Sequence, residues 1–338
     1  MTETKTNRAQ NGSADPQAAL SVAEISRLCR SVLDEVGTVV VGMEQALNTA
    51  LAAILAGGHV LFEDVPGLGK TLAARSLSTA LGLDFARLQC TPDLLPADIT
   101  GSYVFDPAAA KFEFRPGPIF TGLFLADEIN RTTPKTQSAL LEAMAERQVT
   151  VEGHSFPLPP PVHVMATSNP IEYEGTYPLP EAQLDRFMVR LAVGYPERSA
   201  ERDVLERRLS RRHEDAPVNT VVDAQTVLAM QAGVEQIQVD RDVIGYCVDL
   251  TAGTRDHPAV EVGASPRGSL ALMLVARARA VIDGRDYVTP EDVKAIAPSV
   301  LAHRISLTPQ SWASGLPATD VIVNLLGQVA GPAVTRSA

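Results

Sequence analysis

Leu61-Phe62-Glu63-Asp64-Val65-Pro66-Gly67-Leu68-Gly69-Lys70-Thr71 is the stretch whose reading decides the fold. An apolar run from His59 to Phe62 leads into it. A helical pattern follows, with Leu72, Ala73, Ser76, Leu77 and Ala80 on one face and Gly82 as its stop. Strand, glycine loop and helix N-terminus in that order make a cradle for anions. The first amides of a helix have no partner inside it, and the backbone dipole leaves that end partly positive. Gly67 and Gly69 let the backbone approach phosphate oxygens with no Cβ in the way. Lys70 is placed to reach β- and γ-phosphates, and the Thr71 hydroxyl to ligate Mg2+. The usual pattern opens on glycine where this chain has Asp64. The competing reading is an ordinary strand-to-helix turn that happens to contain Gly-Lys-Thr.

A second half of the motif lies downstream. Leu123-Phe124-Leu125-Ala126 reads as a strand buried on both faces in a parallel sheet, delivering Asp127 and Glu128 at its C-terminal end. Asp127 suits Mg2+, held through water, and Glu128 suits the polarisation of an attacking water. Paired acids could instead cap the next helix. Val162 to Thr167 is a further buried strand, ending in Ser168-Asn169-Pro170. There the Asn169 amide can position water, or simply make a turn before proline.

Composition narrows the partners. The 338 residues are 45% hydrophobic and 20% charged, with a net charge of -11 that steers nucleic acid away. Cys29, Cys90 and Cys247 share no metal or redox spacing and read as buried reduced thiols. The histidines form no His-Glu-x-x-His pair, His213-Glu214 included, so no structural metal is expected. No signal peptide or membrane-spanning run is evident, so the chain is expected in the cytoplasm.

Residues 1–18 are too polar to offset ordering and read as a disordered tail. Helices are expected over Val22–Val36 and Glu44–Ala56, with Val41 and Gly42 between them approaching a nucleotide base. Phe85 to Cys90 reads as a strand, and 103–115 and 148–158 as hairpins. Thr133 starts a helix with Leu140, Leu141, Met144 and Ala145 inward. A last strand runs from Val189 to Val193. Beyond Tyr195-Pro196 only helices are expected: a charged amphipathic one over Arg198–Arg212, then Asp242–Gly253 around Ile244, Cys247, Val248 and Leu250. Ser265-Pro266 starts another, and the Thr289 capping box a fourth, to Leu301. The layout is 19–195 as an α/β unit and 196–330 as a helical unit.

Together the ordered pieces resemble the AAA+ ATPases, specifically the MoxR family, from about residue 22 to 310. They are the glycine loop, Asp127-Glu128-Ile129-Asn130-Arg131, Ala166-Thr167-Ser168-Asn169-Pro170, Leu179-Pro180-Glu181-Ala182-Gln183-Leu184-Asp185-Arg186-Phe187 and Gly263-Ala264-Ser265-Pro266-Arg267. The resemblance implies a P-loop α/β parallel-sheet nucleotide-binding domain followed by a small all-α lid. It implies ATP held by Val41, Gly42 and Pro66, Gly67, Leu68, Gly69, Lys70, Thr71 and Leu72, with Mg2+ on Thr71 and Asp127. Glu128 and Asn169 (sensor 1) would be catalytic, with Arg186 as arginine finger and Arg267 as sensor 2. The two hairpins would be inserts facing a ring pore. A hexamer is implied, and chaperone-like work with a separate protein carrying a von Willebrand factor A domain.

Ordinary roles compete for both arginines: a surface ion pair of Arg186 with Asp185 or Glu181, and a solvent-facing helix start for Arg267. Arg186 follows the sensor strand, too far along the sheet order to bend back over its own γ-phosphate, so it is expected to serve a neighbour. A DNA-associated motor and a nucleotide-gated scaffold with little turnover are the rival functions. Charge argues against the first, and the presence of both Glu128 and Asn169 against the second.

Overall fold

The computed structural model describes residues 20–170, 175–212 and 217–332. The tail expected to be disordered, residues 1–18, and His213-Glu214 lie outside them. Helices α1 (Val22–Gly37) and α2 (Glu44–Leu55) precede β1 (Val60–Glu63), and α3 (Lys70–Ala80) leaves the glycine loop. Next come β2 (Phe85–Gln89), α4 (Pro96–Thr100), the hairpin β3 (Gly101–Asp106) and β4 (Lys111–Pro116), and β5 (Leu123–Asp127). Helix α5 (Pro134–Glu146), the hairpin β6 (Gln148–Val151) and β7 (His154–Pro157), β8 (His163–Ser168), α6 (Glu181–Leu184) and β9 (Val189–Leu191) complete the first part.

The five long-range strands pair in the order β2-β5-β8-β1-β9, all parallel. Every residue of β5 and β8 is buried, as expected of central strands covered on both faces. Period-two alternation sends Phe62, Leu123, Leu125 and Met165 into one core with α1, α2 and α3. Leu61, Phe124, Ala126, Val164 and Ala166 enter the other, under α5. Because the strands are parallel and in register (Glu63 beside Ser168, Ala126 beside Ala166), their C-terminal ends gather the glycine loop, Asp127 and Asn169 at one edge.

The remainder is α7 (Arg198–Arg211), α8 (Ala224–Val234), α9 (Arg241–Asp256), β10 (Val260–Val262), α10 (Pro266–Ile282), α11 (Pro290–Leu301), β11 (Ser306–Leu307), α12 (Pro309–Ala313) and α13 (Ala318–Gln328). It is not helical throughout: β10 and β11 pair antiparallel. The Thr289–Asp292 capping box forms, and Ser265 caps α10 through the Arg267 amide. Leu272, Val275 and Ala276 of α10 share one continuous core with Leu51 and Ile54 of α2. Cys29, Cys90 and Cys247 are buried free thiols.

Four side-chain placements differ from the periodic reading. Leu72 is exposed: it shares a row with Ser76, but on the first turn of α3, where the sheet has ended and a cavity opens. On the last turn of α5, Ala145 is exposed and Ala143 buried instead. In α9 the inward row is Val243, Cys247 and Leu250 with Tyr246, while Ile244 and Val248 face out. Two adjacent apolar rows satisfy one helical period, and only the neighbours choose between them. Helix α7 buries none of its residues, leaving Val204, Leu205 and Leu209 exposed; it is not an amphipathic helix seated on the core. Helix α8 adds to the expected helices, with Asp223 capping it through the Thr226 amide.

Candidate nucleotide site

The glycine loop is built by backbone geometry. Gly67 and Gly69 are left-handed (φ 84° and 79°), and a Cβ on either would project into open space. The open space lies at the N-terminus of α3, where free helix amides favour an anion. Lys70 is buried at that helix start, its Nζ donating to the carbonyls of Asp64 (2.7 Å) and Val65 (3.2 Å). Burial lowers its pKa, against the pull of Asp64, Asp127 and Glu128. No carboxylate among the described residues lies within ion-pair distance of it, so its ammonium is left to face the cradle.

Asp127 is a hub. Thr167 Oγ1 donates to Oδ1 (2.6 Å), while Thr71 Oγ1 (3.2 Å) and Arg87 Nε and Nη2 (3.0 and 2.8 Å) donate to Oδ2. Burial alone would raise its pKa; the bonds from Thr167, Arg87 and Thr71 and the Arg87 charge hold it below the ordinary value. Glu128 is left-handed (φ 58°), an uncommon conformation for a residue with a Cβ. Its amide donates to the same Thr167 hydroxyl (2.7 Å), and its carboxylate accepts from Gln89 Nε2 (2.7 Å) and Arg131 Nε (2.9 Å). Buried Asn169 is aligned by Asn130, whose amide donates to the Asn169 carbonyl (3.0 Å).

These groups line one cavity of about 360 Å³ that includes Pro66, Gly67, Leu68, Gly69, Lys70, Thr71, Leu72, Asp127, Glu128 and Asn169. A second cavity, of about 490 Å³, is walled by Gly42, Met43, Val193, Tyr195, Ala200 and Ser299. Gly42 lines this cavity, while Val41 is not among its lining residues. Among the described residues no cluster of three His, Cys, Asp or Glu could hold a metal. The Thr71 hydroxyl and Asp127 carboxylate remain the oxygen pair that suits a hard cation.

Arg87, Gln89, Thr167 and Arg131 were not singled out in the sequence. The signal was faint: two polar residues two apart on a strand share a face, and Phe85-Ala86-Arg87-Leu88-Gln89 places Arg87 and Gln89 so. Each engages one of the two acids that β5 delivers.

Neither Arg186 nor Arg267 lines the cavity at the glycine loop. The reason differs from the expected one. Strand β9 lies directly beside β1, so Arg186 is not remote in sheet order. It is remote in height: the Met188 amide bonds to the His59 carbonyl, at the N-terminal end of β1, while the glycine loop leaves the other end. The four residues of β1 alone span about 13 Å. Arg186 Nη1 donates to the Leu141 carbonyl (3.0 Å), beside Ser138, Glu142, Glu146 and Gln183. It makes no ion pair with Asp185 or Glu181 among the described residues. Asp185 instead takes Arg304 Nε (2.8 Å) and the Ser265 hydroxyl (3.1 Å), with Arg267 Nη1 3.9 Å away and largely exposed. Both arginines therefore lie outside the cavity, Arg186 toward the Leu141 carbonyl and Arg267 toward the Asp185 carboxylate.

The two hairpins share aromatic contacts. Phe114 stacks on Phe156 (3.9 Å between ring centres), and Tyr103 is tilted against Phe114 and meets Phe156 edge-on. Phe105 and Phe112 touch each other outside this cluster and are exposed. Phe112→Ala is expected to change stability by less than about 0.5 kcal/mol, and Phe114→Ala to cost about 1–3 kcal/mol. Paired thermal melts check the contrast; equal losses would make Phe112 part of the core.

The sequence profile of the ATPase family associated with various cellular activities (AAA) matches residues 59–189, and that of the AAA lid domain residues 252–324. The chain is 46% identical over 318 residues to YeaC of Bacillus subtilis, covering 93% of this chain and 98% of that protein. It is 40% identical over 321 residues to Chaperone MoxR1 of Mycobacterium tuberculosis, covering 92% and 84%. The crystal structure of a provisionally assigned ATPase from Cytophaga hutchinsonii superposes with a TM-score of 0.86 at 39% identity, over 92% of this chain and 97% of that one. With the glycine loop, the acidic strand end and the lid in place, these matches identify the chain as a member of the MoxR family of AAA ATPases.

Proposed function

We propose that the chain hydrolyses ATP with Mg2+ in a ring of identical subunits, and uses the cycle to remodel or assemble partner protein complexes. The observation that carries this is the convergence of Lys70, Thr71, Asp127, Glu128 and Asn169 on one cavity at the C-terminal edge of the sheet. The open cradle, the buried lysine without a carboxylate and the Thr71–Asp127 oxygen pair fit a metal-bound triphosphate. When bound, Mg2+ neutralises phosphate oxygens. Lys70 would exchange two carbonyls for phosphate oxygens, and Thr71 and Asp127 would hold the metal, with Asp127 giving up Arg87. Glu128, released from Gln89, would polarise the water, and Asn169 would orient it. Such chemistry needs little beyond positioning and charge neutralisation.

Arg186 and Arg267, both outside the cavity of their own subunit, suit the nucleotide of an adjoining subunit. A hexamer with the hairpins at its pore, a separate von Willebrand factor A partner and work in the cytoplasm complete the reading. Its support is the family membership and a relative named as a chaperone. Among the described residues no helix is long and apolar enough to cross a membrane.

Phosphate release is the test. We expect turnover that needs Mg2+ and rises faster than linearly with protein concentration, as assembly completes the sites. Nucleotide binding without release at any concentration would favour the scaffold reading. A salt-dependent shift of DNA would favour the motor, against the net charge of -11.

A further inference from the structure

Asp64, the letter at which the glycine loop departs from the usual pattern, has a partner far along the chain. Its Oδ2 accepts the successive amides of Val193 and Gly194, each at 2.6 Å. Its Oδ1 accepts its own loop's Val65 amide (2.8 Å), and its N–H donates to the Ser168 carbonyl (3.1 Å). Gly194 is left-handed (φ 71°), and two successive amides turned to one oxygen form a backbone concavity for an anion. Glycine at position 64 would leave both amides without this acceptor.

The location gives the contact its meaning. Strand β9 ends at Leu191 and α7 begins at Arg198, so Val193 and Gly194 lie in the linker from the sheet to the lid. Val193 also lines the second cavity, as Gly42 does. The carbonyl of Asp64 meanwhile holds Lys70 Nζ at 2.7 Å. One residue thus grips the phosphate lysine with its backbone and the lid linker with its side chain.

We infer that Asp64 is a positioning residue that ties the phosphate loop to the lid linker, so that withdrawal of Lys70 by a bound nucleotide is passed to Val193 and Gly194. The inference rests on the proposed binding of nucleotide by Lys70. Coupling of this kind needs a tie that both sites bias, and Asp64 is that tie. Its neighbour Glu63 pairs with Arg190 at 2.8 Å. That second link, together with the β1–β9 pairing, keeps the sheet intact when the Asp64 carboxylate is removed.

Residue-resolved amide hydrogen exchange on the full chain tests this, with Asp64→Gly and the near-isosteric Asp64→Asn checked for folding by thermal melting. Without nucleotide, exchange at Val193 and Gly194 should quicken by about ten- to a hundredfold in Asp64→Gly, and by less in Asp64→Asn. If Asp64→Gly does not fold, a clear acceleration in Asp64→Asn serves the same purpose. A slowly hydrolysed ATP analogue with Mg2+ should alter exchange across residues 193–200 in the parent and leave it unaltered in Asp64→Gly, although the variant still binds. Unchanged exchange in the free variants would overturn the tie. An equal linker response in parent and variant would overturn the coupling alone. A parent that binds no nucleotide would overturn the ATPase reading and the coupling together, while leaving the tie to be judged from the free protein.

Discussion

Arg186→Ala should bind ATP nearly as the parent does and hydrolyse it about a thousandfold to a hundred-thousandfold more slowly, the worth of a guanidinium supplied to a phosphoryl-transfer transition state. Its place in the fold motivates this. Arg186 sits at the N-terminal end of the sheet, held by the Leu141 carbonyl, outside the cavity at the other end. From there it reaches no phosphate of its own subunit without unfolding the start of β9. Its chain neighbour Asp185 accepts from the lid's Arg304 and Ser265, with Arg267 3.9 Å away. Mixing decides the point. Arg186→Ala combined with Lys70→Ala should regain activity, because the lysine variant lends an intact Arg186 to subunits whose phosphate loops are sound. If mixed rings form and remain inactive, and Arg186→Ala turnover does not depend on protein concentration, the arginine acts within its own subunit or is structural.

The second large effect separates the two ends of the cavity. Lys70→Ala should lose nucleotide affinity by about tenfold to several hundredfold, since it removes the charge-assisted bonds made from the start of α3. Glu128→Gln should keep affinity and lose about a hundredfold to ten-thousandfold in turnover, the range for a positioned general base. The glutamine retains the acceptor that Gln89 and Arg131 use, so the local fold survives and the loss reports on the water. Titration with a fluorescent nucleotide beside phosphate release reads both quantities. Equal ATP affinity in Lys70→Ala and the parent would remove the phosphate-loop assignment.

Much of this site is legible before any coordinates, because its signals are local. A buried parallel strand reads as an unbroken apolar run, and Leu123–Ala126 and Val164–Ala166 do so because both faces are covered. Helix starts announce themselves through neighbours three residues apart, as Thr289 and Asp292 do. Gly67 and Gly69 mark the loop because left-handed backbone excludes most other residues. Lys70, Thr71, Asp127, Glu128 and Asn169 then converge because a parallel sheet brings all its strand ends to one edge.

Other features depend on partners distant in the chain. Whether Ile244 or Val243 of α9 faces inward is settled by what packs on the helix, since both rows obey the same period. Arg87 and Gln89 acquire their meaning only when β2 pairs with β5 and sets Gln89 beside Asp127. The separation of Arg186 from its own phosphate loop comes from strand polarity and height, given that β9 lies next to β1. Asp64 read as a departure from a motif, because its ligands, the amides of Val193 and Gly194, stand 129 and 130 residues away. Local sequence determined the strands, caps and glycine loop, whose energetics involve a few adjacent residues. Tertiary structure alone decided which carboxylates, guanidinium groups and amides share a site, because those bonds are made between segments that the chain order does not bring together.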